Sequence, residues 1–410
     1  MLNVGVIGFG TVGSGIYERL LNSSEELKEI FQTEVQMTKI LVKDDTKDRG
    51  YTQVKTLTTS DPNEFFNQQY DIVFEAIGGV EPAKGYIVQL IQSGTAIITA
   101  NKELIAKHGK ELEELARQNG VYLGFEAAVG GGIPIVNSFK TLFSTTPIHS
   151  VTGILNGTTN YILTEMKEKN RPFADVLEEA QQLGYAEADP TDDIEGYDAL
   201  YKLKILSRLA FNSWPNEDNF FCKGMNVIEE EAIDFAERNE LAIKLIARTS
   251  NENRVIRGFV SPAFVTKDHP LYNINGVTNG ICIDGATIDR ITMSGPGAGK
   301  DATANSMVED FVLHEQFQGF NRPLSQQHND RANEEMSVIV FVSELKKEQF
   351  HADLLGIISE VEIDNGFNDK QAVILKLTKG KSLNDLPPLW QQKSYPVLGK
   401  VAVNKIALPF

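Results

Sequence analysis

Short runs of apolar and β-branched residues recur along the first 130 positions: "NVGVIG" (3–8), "TKILV" (38–42), "YDIVFEAIG" (70–78), "TAIITA" (95–100) and "VYLGFEAAV" (121–129). Stretches with apolar residues three and four apart separate several of them, as in Val12, Ile16 and Leu20. Apolar strands alternating with amphipathic helices predict a parallel α/β sheet covered on both faces.

After "GGGIPI" (130–135), where Pro134 suits a helix's first turn, the pattern becomes mixed. It predicts a strand "HSVTGIL" (149–155), a turn "NGTTN" (156–160) with a helix after it, a helix from about Pro172 to Leu183, and another entered near Asp193. A long α+β stretch follows. The Gly/Pro turn "SGPGAG" (294–299) leads into a helix from about Asp301, and "NRPLSQQHNDRANEE" (321–335) is polar and reads as a linker. Beyond it come a strand "SVIVFV", a helix near 346–357, strands at 359–364 and 371–378, a short helix and a final strand "KVAVNKIAL". That βαββαβ order is a compact α+β module.

The chain of 410 residues is long enough for two or three domains. With 41% hydrophobic and 23% charged residues and no low-complexity tract, it is expected to be soluble and globular. No apolar run approaches the roughly 18 to 20 residues a bilayer span needs, and "MLNVGVIGFG" enters a strand with no basic leader. A cytoplasmic protein without membrane contact is expected. A net charge of −17 with no basic stripe argues against nucleic acid as a partner and fits a solubilising acidic surface. Two cysteines, Cys222 and Cys282, cannot build a disulfide framework, and Cys282 between two isoleucines reads as a buried thiol.

Four stretches carry candidate chemistry. In "GVIGFGTVGSG", Gly8, Gly10 and Gly13 form G-x-G-x-x-G between a strand and a helix, where glycines let a pyrophosphate approach the backbone and rest on the helix N-terminus. At the end of the second strand, "LVKDDTKDR" presents Lys43 and then Asp44; the cation leans the choice toward NADP and leaves NAD open. In "TANKELIA" (99–106), Lys102 stands at a strand end, where a cofactor and a substrate could meet; an exposed surface lysine fits the same position. In "FEAAVGGGIPI", Glu126 and a glycine-rich turn could offer a carboxylate and carbonyls to a hard cation, while close backbone packing explains the glycines equally.

The fourth stretch, "AEADPTDDIEGYDALYKLKIL" (186–206), places Asp198 and Lys202 four apart, next to the apolar side of a helix marked by Ile194, Tyr197, Leu200 and Tyr201. A half-buried ammonium needs such a partner. Asp189-Pro190 and Gly196 interrupt the helix upstream, so Glu187 and Asp189 fall in a loop able to fold back over it. An ordinary helix salt bridge after a solvated acidic turn is the plainer account.

The motifs "GFGTVGSG", "TANK", "EAAVGGGIPI", "GILNGTTNYIL", "LGYAEADPTDDIEGYDALYK" and "GPGAG", in this order over about residues 1–315, resemble those of homoserine dehydrogenases. The resemblance implies interconversion of L-aspartate 4-semialdehyde and L-homoserine with NAD(P)H, before the threonine and methionine branches. It implies a cofactor cradle of Gly8, Phe9, Gly10, Thr11, Val12 and Gly13, with Lys102 in contact at the junction of nicotinamide and substrate; Lys43, from its place at the strand end, is expected to join the cofactor contacts. Lys202 resembles the family's proton donor, supported by Asp198. Glu187, Asp193 and Thr158 resemble its substrate contacts. Glu126, Val129, Gly131 and Ile133 resemble its monovalent cation site, usually sodium.

The resemblance also implies a Rossmann-type doubly wound domain at 1–130 plus about 300–318, a substrate-binding, catalytic and dimerisation domain at 131–299, a linker at 320–335 and an ACT-like module at 336–410. A homodimer is implied, with the last module a second route to larger assemblies. That module lacks the family's Asp-x-Pro-Gly ligand turn and has "VFVSELKKEQF" instead, so an oligomerisation role stands beside a regulatory one. Two alternatives share the glycine loop. An aspartate-semialdehyde dehydrogenase needs a nucleophilic cysteine, which neither Cys222 nor Cys282 suits. A non-catalytic NAD(P)-sensing protein would be marked by loss of Lys102, Lys202 or the acidic loop, and all are present.

Overall fold

A computed structural model of the chain describes residues 1–252, 254–317, 336–342, 354, 356–364, 371–378, 381–399, 401 and 406–408. The chain divides into two compact units, residues 1–144 with 295–325, and 145–294 with 326–410. The expected linker at 320–335 and most of the expected helix near 346–357 lie outside the described residues.

The first unit is built on six parallel strands, β1 (Leu2–Ile7), β2 (Val35–Leu41), β3 (Thr58–Thr59), β4 (Ile72–Glu75), β5 (Ala96–Thr99) and β6 (Leu123–Gly124). Their order is β3-β2-β1-β4-β5-β6, with the reversal between β1 and β4 that places ligands beyond the strands' carboxyl ends. Ile72, Val73 and Phe74 are fully buried, as a strand covered on both faces requires. Each such side chain contributes about 1.5 to 3 kcal/mol. Helix Lys300–Phe317 returns to this unit, and its Ala304, Met307, Val308 and Phe311 share a core with Val4, Ile16 and Phe74.

The run expected as one strand over 121–129 is shorter. It pairs only at Leu123–Gly124, then turns into a single 3-10 turn, Glu126–Ala128. The Glu126 N–H, which a longer strand would direct into the ladder, donates to Asp310 Oδ2 at 2.8 Å.

The second unit carries one mixed sheet of β7 (Ile148–Ile154), β8 (Phe220–Cys222), β9 (Ala242–Glu252), β10 (Val255–Val265), β11 (Thr278–Gly285), β12 (Asp289–Pro296), β13 (Ser337–Val342), β14 (Ile358–Asp364), β15 (Gln371–Leu377), β16 (Ser394–Leu398) and β17 (Ile406–Leu408). Strand β16 is absent from the runs expected of the sequence, because Pro396 argues against a strand interior. It joins the C-terminal strands to the rest, pairing parallel with β10 at Phe264–Val397 and antiparallel with β13. Val338, Val373 and Leu375 accordingly share a core with Ile154, Ile246 and Cys282. The helix expected from Asp193 is two: a turn Thr191–Ile194, then Tyr197–Phe211, parted by Gly196 at φ +85°. A Cβ on Gly196 would meet Val260 and Cys222 as well as this left-handed backbone. No helix among the described residues is long and apolar enough to cross a membrane.

Candidate active site

In the first unit, β1 delivers the chain to Gly8, whose φ is +94°, and helix Thr11–Asn22 begins after Gly10 with no side-chain cap on its first N–H groups. A Cβ on Gly13 would lie 2.1 Å from the Gly8 carbonyl oxygen, so only glycine fits that close approach. Phe9 and Val12 pack against the unit's core, and Thr11 is exposed. Uncapped N–H groups at a helix start suit an anionic group. At the end of β2, Lys43 is exposed, while the Asp44 carboxylate is turned into its own loop, accepting from Thr46 N at 2.9 Å and Thr46 Oγ1 at 2.6 Å.

Lys102 opens helix Lys102–Asn119, capped by Asn101, whose Oδ1 accepts from Leu104 N at 3.0 Å. The Asn101 amide donates to the carbonyls of Ile77 and Gly79, at 3.2 and 2.7 Å. Behind it sits Glu75, fully buried, accepting from Thr99 Oγ1 and from Ile77 N. Burial pushes the Glu75 carboxyl up to about 7, against the pull of those donors.

Glu126 is 1% exposed and accepts from the N–H groups of Val136 and Asn137, at 3.0 and 2.6 Å. Burial and the neighbouring Asp310 carboxylate push it upward. Asp310, from helix Lys300–Phe317, also accepts from Tyr122 Oη and Asn137 Nδ2 at 3.0 Å each. Gly130 and Gly131 have φ of +74° and +55°, and the Gly131 carbonyl accepts from Ser306 Oγ at 2.6 Å. The Ile133 carbonyl accepts from Ile135 N at 2.7 Å. Asn137 Oδ1 is buried with no hydrogen-bond partner among the described residues. Two buried carboxylates and an orphaned amide oxygen beside a carbonyl-rich turn are a donor set that fits a hard cation.

In the second unit, Lys202 Nζ donates to Asp198 Oδ2 at 2.7 Å and to the Leu155 carbonyl at 2.8 Å. Lys202 is 8% exposed and Asp198 2%, deeper than the half-buried position expected. Asn156 Nδ2 donates both to Asp198 Oδ2, at 2.9 Å, and to Asp193 Oδ1, at 2.6 Å. Thr158 is buried at the second position of helix Gly157–Lys169, its hydroxyl donating to the Tyr185 carbonyl at 2.6 Å. Tyr185 starts the acidic loop, so this bond ties the loop to the helix. Glu187 is exposed, and its backbone carbonyl accepts from Gln181 Nε2 at 3.0 Å. Asp189 is held below the usual carboxylate range by hydrogen bonds from Thr191.

Asp193, Asp198 and Lys202 therefore form one hydrogen-bonded array, with Thr158 and Glu187 on the flanking loop and helix. Asn156, Asp310 and Glu75 were not singled out in the sequence. Asn156 alone had a local signal, an N-cap residue heading a helix. Neither cysteine has the setting of a nucleophile: burial pushes Cys222 up to about 12 and raises Cys282.

Two family models match the chain: "Homoserine dehydrogenase, NAD binding domain" over residues 8–126 and "Homoserine dehydrogenase" over 134–312. The homoserine dehydrogenase of Lactococcus lactis is 38% identical over 316 residues, 76% of this chain and 73% of that protein. The crystal structure of a homoserine dehydrogenase from Thiobacillus denitrificans matches 99% of this chain and 97% of its own, with a TM-score of 0.80 at 30% identity. A hyperthermophilic archaeal homoserine dehydrogenase in complex with NADPH matches 77% of this chain and 98% of its own, with a TM-score of 0.66 at 26% identity. Models for both halves in their expected order, with this identity over three-quarters of the chain, place it in a family: the chain belongs to the homoserine dehydrogenases, NAD(P)-dependent oxidoreductases of aspartate-family amino-acid biosynthesis.

Proposed function

We propose that this chain interconverts L-aspartate 4-semialdehyde and L-homoserine, with Lys202 as proton donor and NADP as the preferred nicotinamide cofactor. The observation that carries the reading is the array in which the buried Lys202 is bonded to the buried Asp198 and, through Asn156, linked to Asp193. When bound, the reduced nicotinamide supplies a hydride to the aldehyde carbon. The substrate oxygen then bears developing negative charge, which an ammonium both stabilises and neutralises by giving up a proton. Lys202 does this in reduction, and its neutral amine takes the proton back in oxidation. Asp198 favours the charged lysine. Asp193 and Glu187 attract the substrate's own ammonium group, and Thr158 contacts its carboxylate.

In the first unit, Gly8, Phe9, Gly10, Thr11, Val12 and Gly13 hold the cofactor's pyrophosphate end. Lys43 meets a 2′-phosphate, a role that the turned-in carboxylate of Asp44 does not oppose. Lys102 orients substrate and nicotinamide. Glu126 and the carbonyls of Val129, Gly131 and Ile133 hold a sodium ion, which the buried Asp310 and the orphaned Asn137 oxygen favour electrostatically. The chain acts as a cytoplasmic homodimer, and residues 336–410, whose described strands extend the sheet of the second unit, serve as an ACT-like regulatory or oligomerisation part.

Oxidation of NADPH and of NADH in the presence of L-aspartate 4-semialdehyde tests the reading. Homoserine should form with both, and faster with NADPH at limiting cofactor. Absence of homoserine with both would defeat the proposal, and a preference for NADH would remove the role of Lys43. A thermal-shift titration with threonine, methionine and isoleucine reports on the last module, since a ligand bound only by the folded chain raises its melting temperature.

A further inference from the structure

Asn156 is 5% exposed, and both ends of its side-chain amide are engaged. Its Oδ1 accepts from Thr159 N at 2.8 Å and Thr159 Oγ1 at 2.9 Å, capping helix Gly157–Lys169. A backbone N–H can only donate, so the oxygen is the end facing Thr159 and the NH2 group faces the acids. That NH2 donates to Asp193 Oδ1 and to Asp198 Oδ2, 2.6 and 2.9 Å from one nitrogen. Asp198 Oδ2 is also the atom that accepts from Lys202 Nζ. The preceding carbonyl, of Leu155, accepts from Lys202 Nζ and from Asn279 Nδ2, the latter at 3.0 Å.

We infer that Asn156 is a positioning residue for the reaction: by donating to both carboxylates it fixes the oxygen against which Lys202 is oriented, and holds the substrate-side acid Asp193 in the same array. The inference rests on the reading of Lys202 as proton donor. Two carboxylates near one buried point repel each other, and two amide hydrogens between them offset that repulsion and stabilise the ionised forms. No other neutral side chain of this size caps a helix with one end while donating twice with the other. The charged groups bonded around Asn156 are thus Asp193, Asp198 and, through Asp198, Lys202. One turn along the same helix, Asn160 Oδ1 accepts from Lys244 Nζ at 3.0 Å, so a second ammonium lies on this side as well.

Asn156→Ser separates the two tasks, because serine caps a helix as well as asparagine but has one hydroxyl donor on a shorter stem. The variant should melt close to the wild type, while kcat/KM for homoserine falls on the order of 10- to 100-fold. The acidic limb of its kcat/KM–pH profile should move upward by roughly one unit, because the carboxylates lose a donor to their charged forms. A variant with wild-type kcat/KM and an unmoved acidic limb overturns the inference. So does a variant whose activity falls only in proportion to its folded fraction, with the profile unmoved. Lys202→Ala measured alongside keeps the two readings apart. If it is inactive while Asn156→Ser is normal, only the role of Asn156 fails; if it turns over normally, the proton-donor reading fails first.

Discussion

Lys202 Nζ stands 2.7 Å from Asp198 Oδ2, one turn apart on the same helix, and both side chains are withdrawn from solvent. A pair so placed is costly to bring out of water and is not explained by stability alone, since exposed helix pairs achieve the same local bonding more cheaply. On the proposed reading, its value lies in keeping one transferable proton at a fixed atom. Lys202→Ala should lower kcat by about 10²- to 10⁴-fold, the range of general acid catalysis. NADPH affinity, followed by fluorescence titration, should be nearly unchanged. Unaltered turnover in that variant would remove Lys202 from the chemistry.

The glycine cradle gives a second prediction. Gly13→Ala places a methyl group 2.1 Å from the Gly8 carbonyl oxygen, and the obstacle is backbone that cannot swing aside. The turn must open, separating the strand end from the helix start. NADPH affinity should fall at least tenfold, measured by the same titration, and the melting temperature should fall with it; Gly10→Ala, which meets nothing of the chain within 4 Å, should melt as the wild type and lose affinity only through its approach to the pyrophosphate. Wild-type affinity and melting temperature in Gly13→Ala would show that the close approach at Gly13 is unimportant.

Glu75 gives a prediction about pH. Burial raises its carboxyl from an ordinary value of 4.5 to about 7 in the folded chain. Between those values the folded state holds a proton that the unfolded chain has released. Stability from this group is therefore complete below about pH 4.5 and lost as pH rises through about 7, by up to roughly 3 kcal/mol. Glu75→Gln should flatten the decline of melting temperature between pH 5 and 7.5 by about half. Glu126, pushed up by burial and by Asp310, acts in the same direction and keeps part of the slope. Parallel melting curves for the two proteins across this window would contradict the assignment.

The cation reading is testable without any activity measurement. A sodium ion held only by the folded chain should raise the melting temperature by roughly 2 to 4 °C in sodium chloride relative to choline chloride of equal ionic strength. In Glu126→Gln the difference between the two salts should shrink toward zero. A wild-type protein that melts identically in both salts would leave Glu126 and Asp310 as a purely structural pair.

What depends on neighbours in the chain was legible in advance. Strand runs at β1, β2, β4 and β5, the glycine loop, and the spacing of Asp198 and Lys202 on one helix face all follow from local periodicity or sterics. The break at Gly196 was visible as a helix interruption, though its left-handed backbone was not. Only the tertiary structure decided the rest. Asn156 reaches acids 37 and 42 positions away, Asp310 meets Glu126 across 184, and β16 enters the sheet beside β10 despite Pro396. Hydrogen bonds between remote segments leave no period in the sequence, and the burial that raises Glu75 and Glu126 exists only once the surrounding segments have packed. The residue types of the Asp193, Asp198 and Lys202 array were therefore set by the chain, while the oxygen that each donor faces was set by the fold.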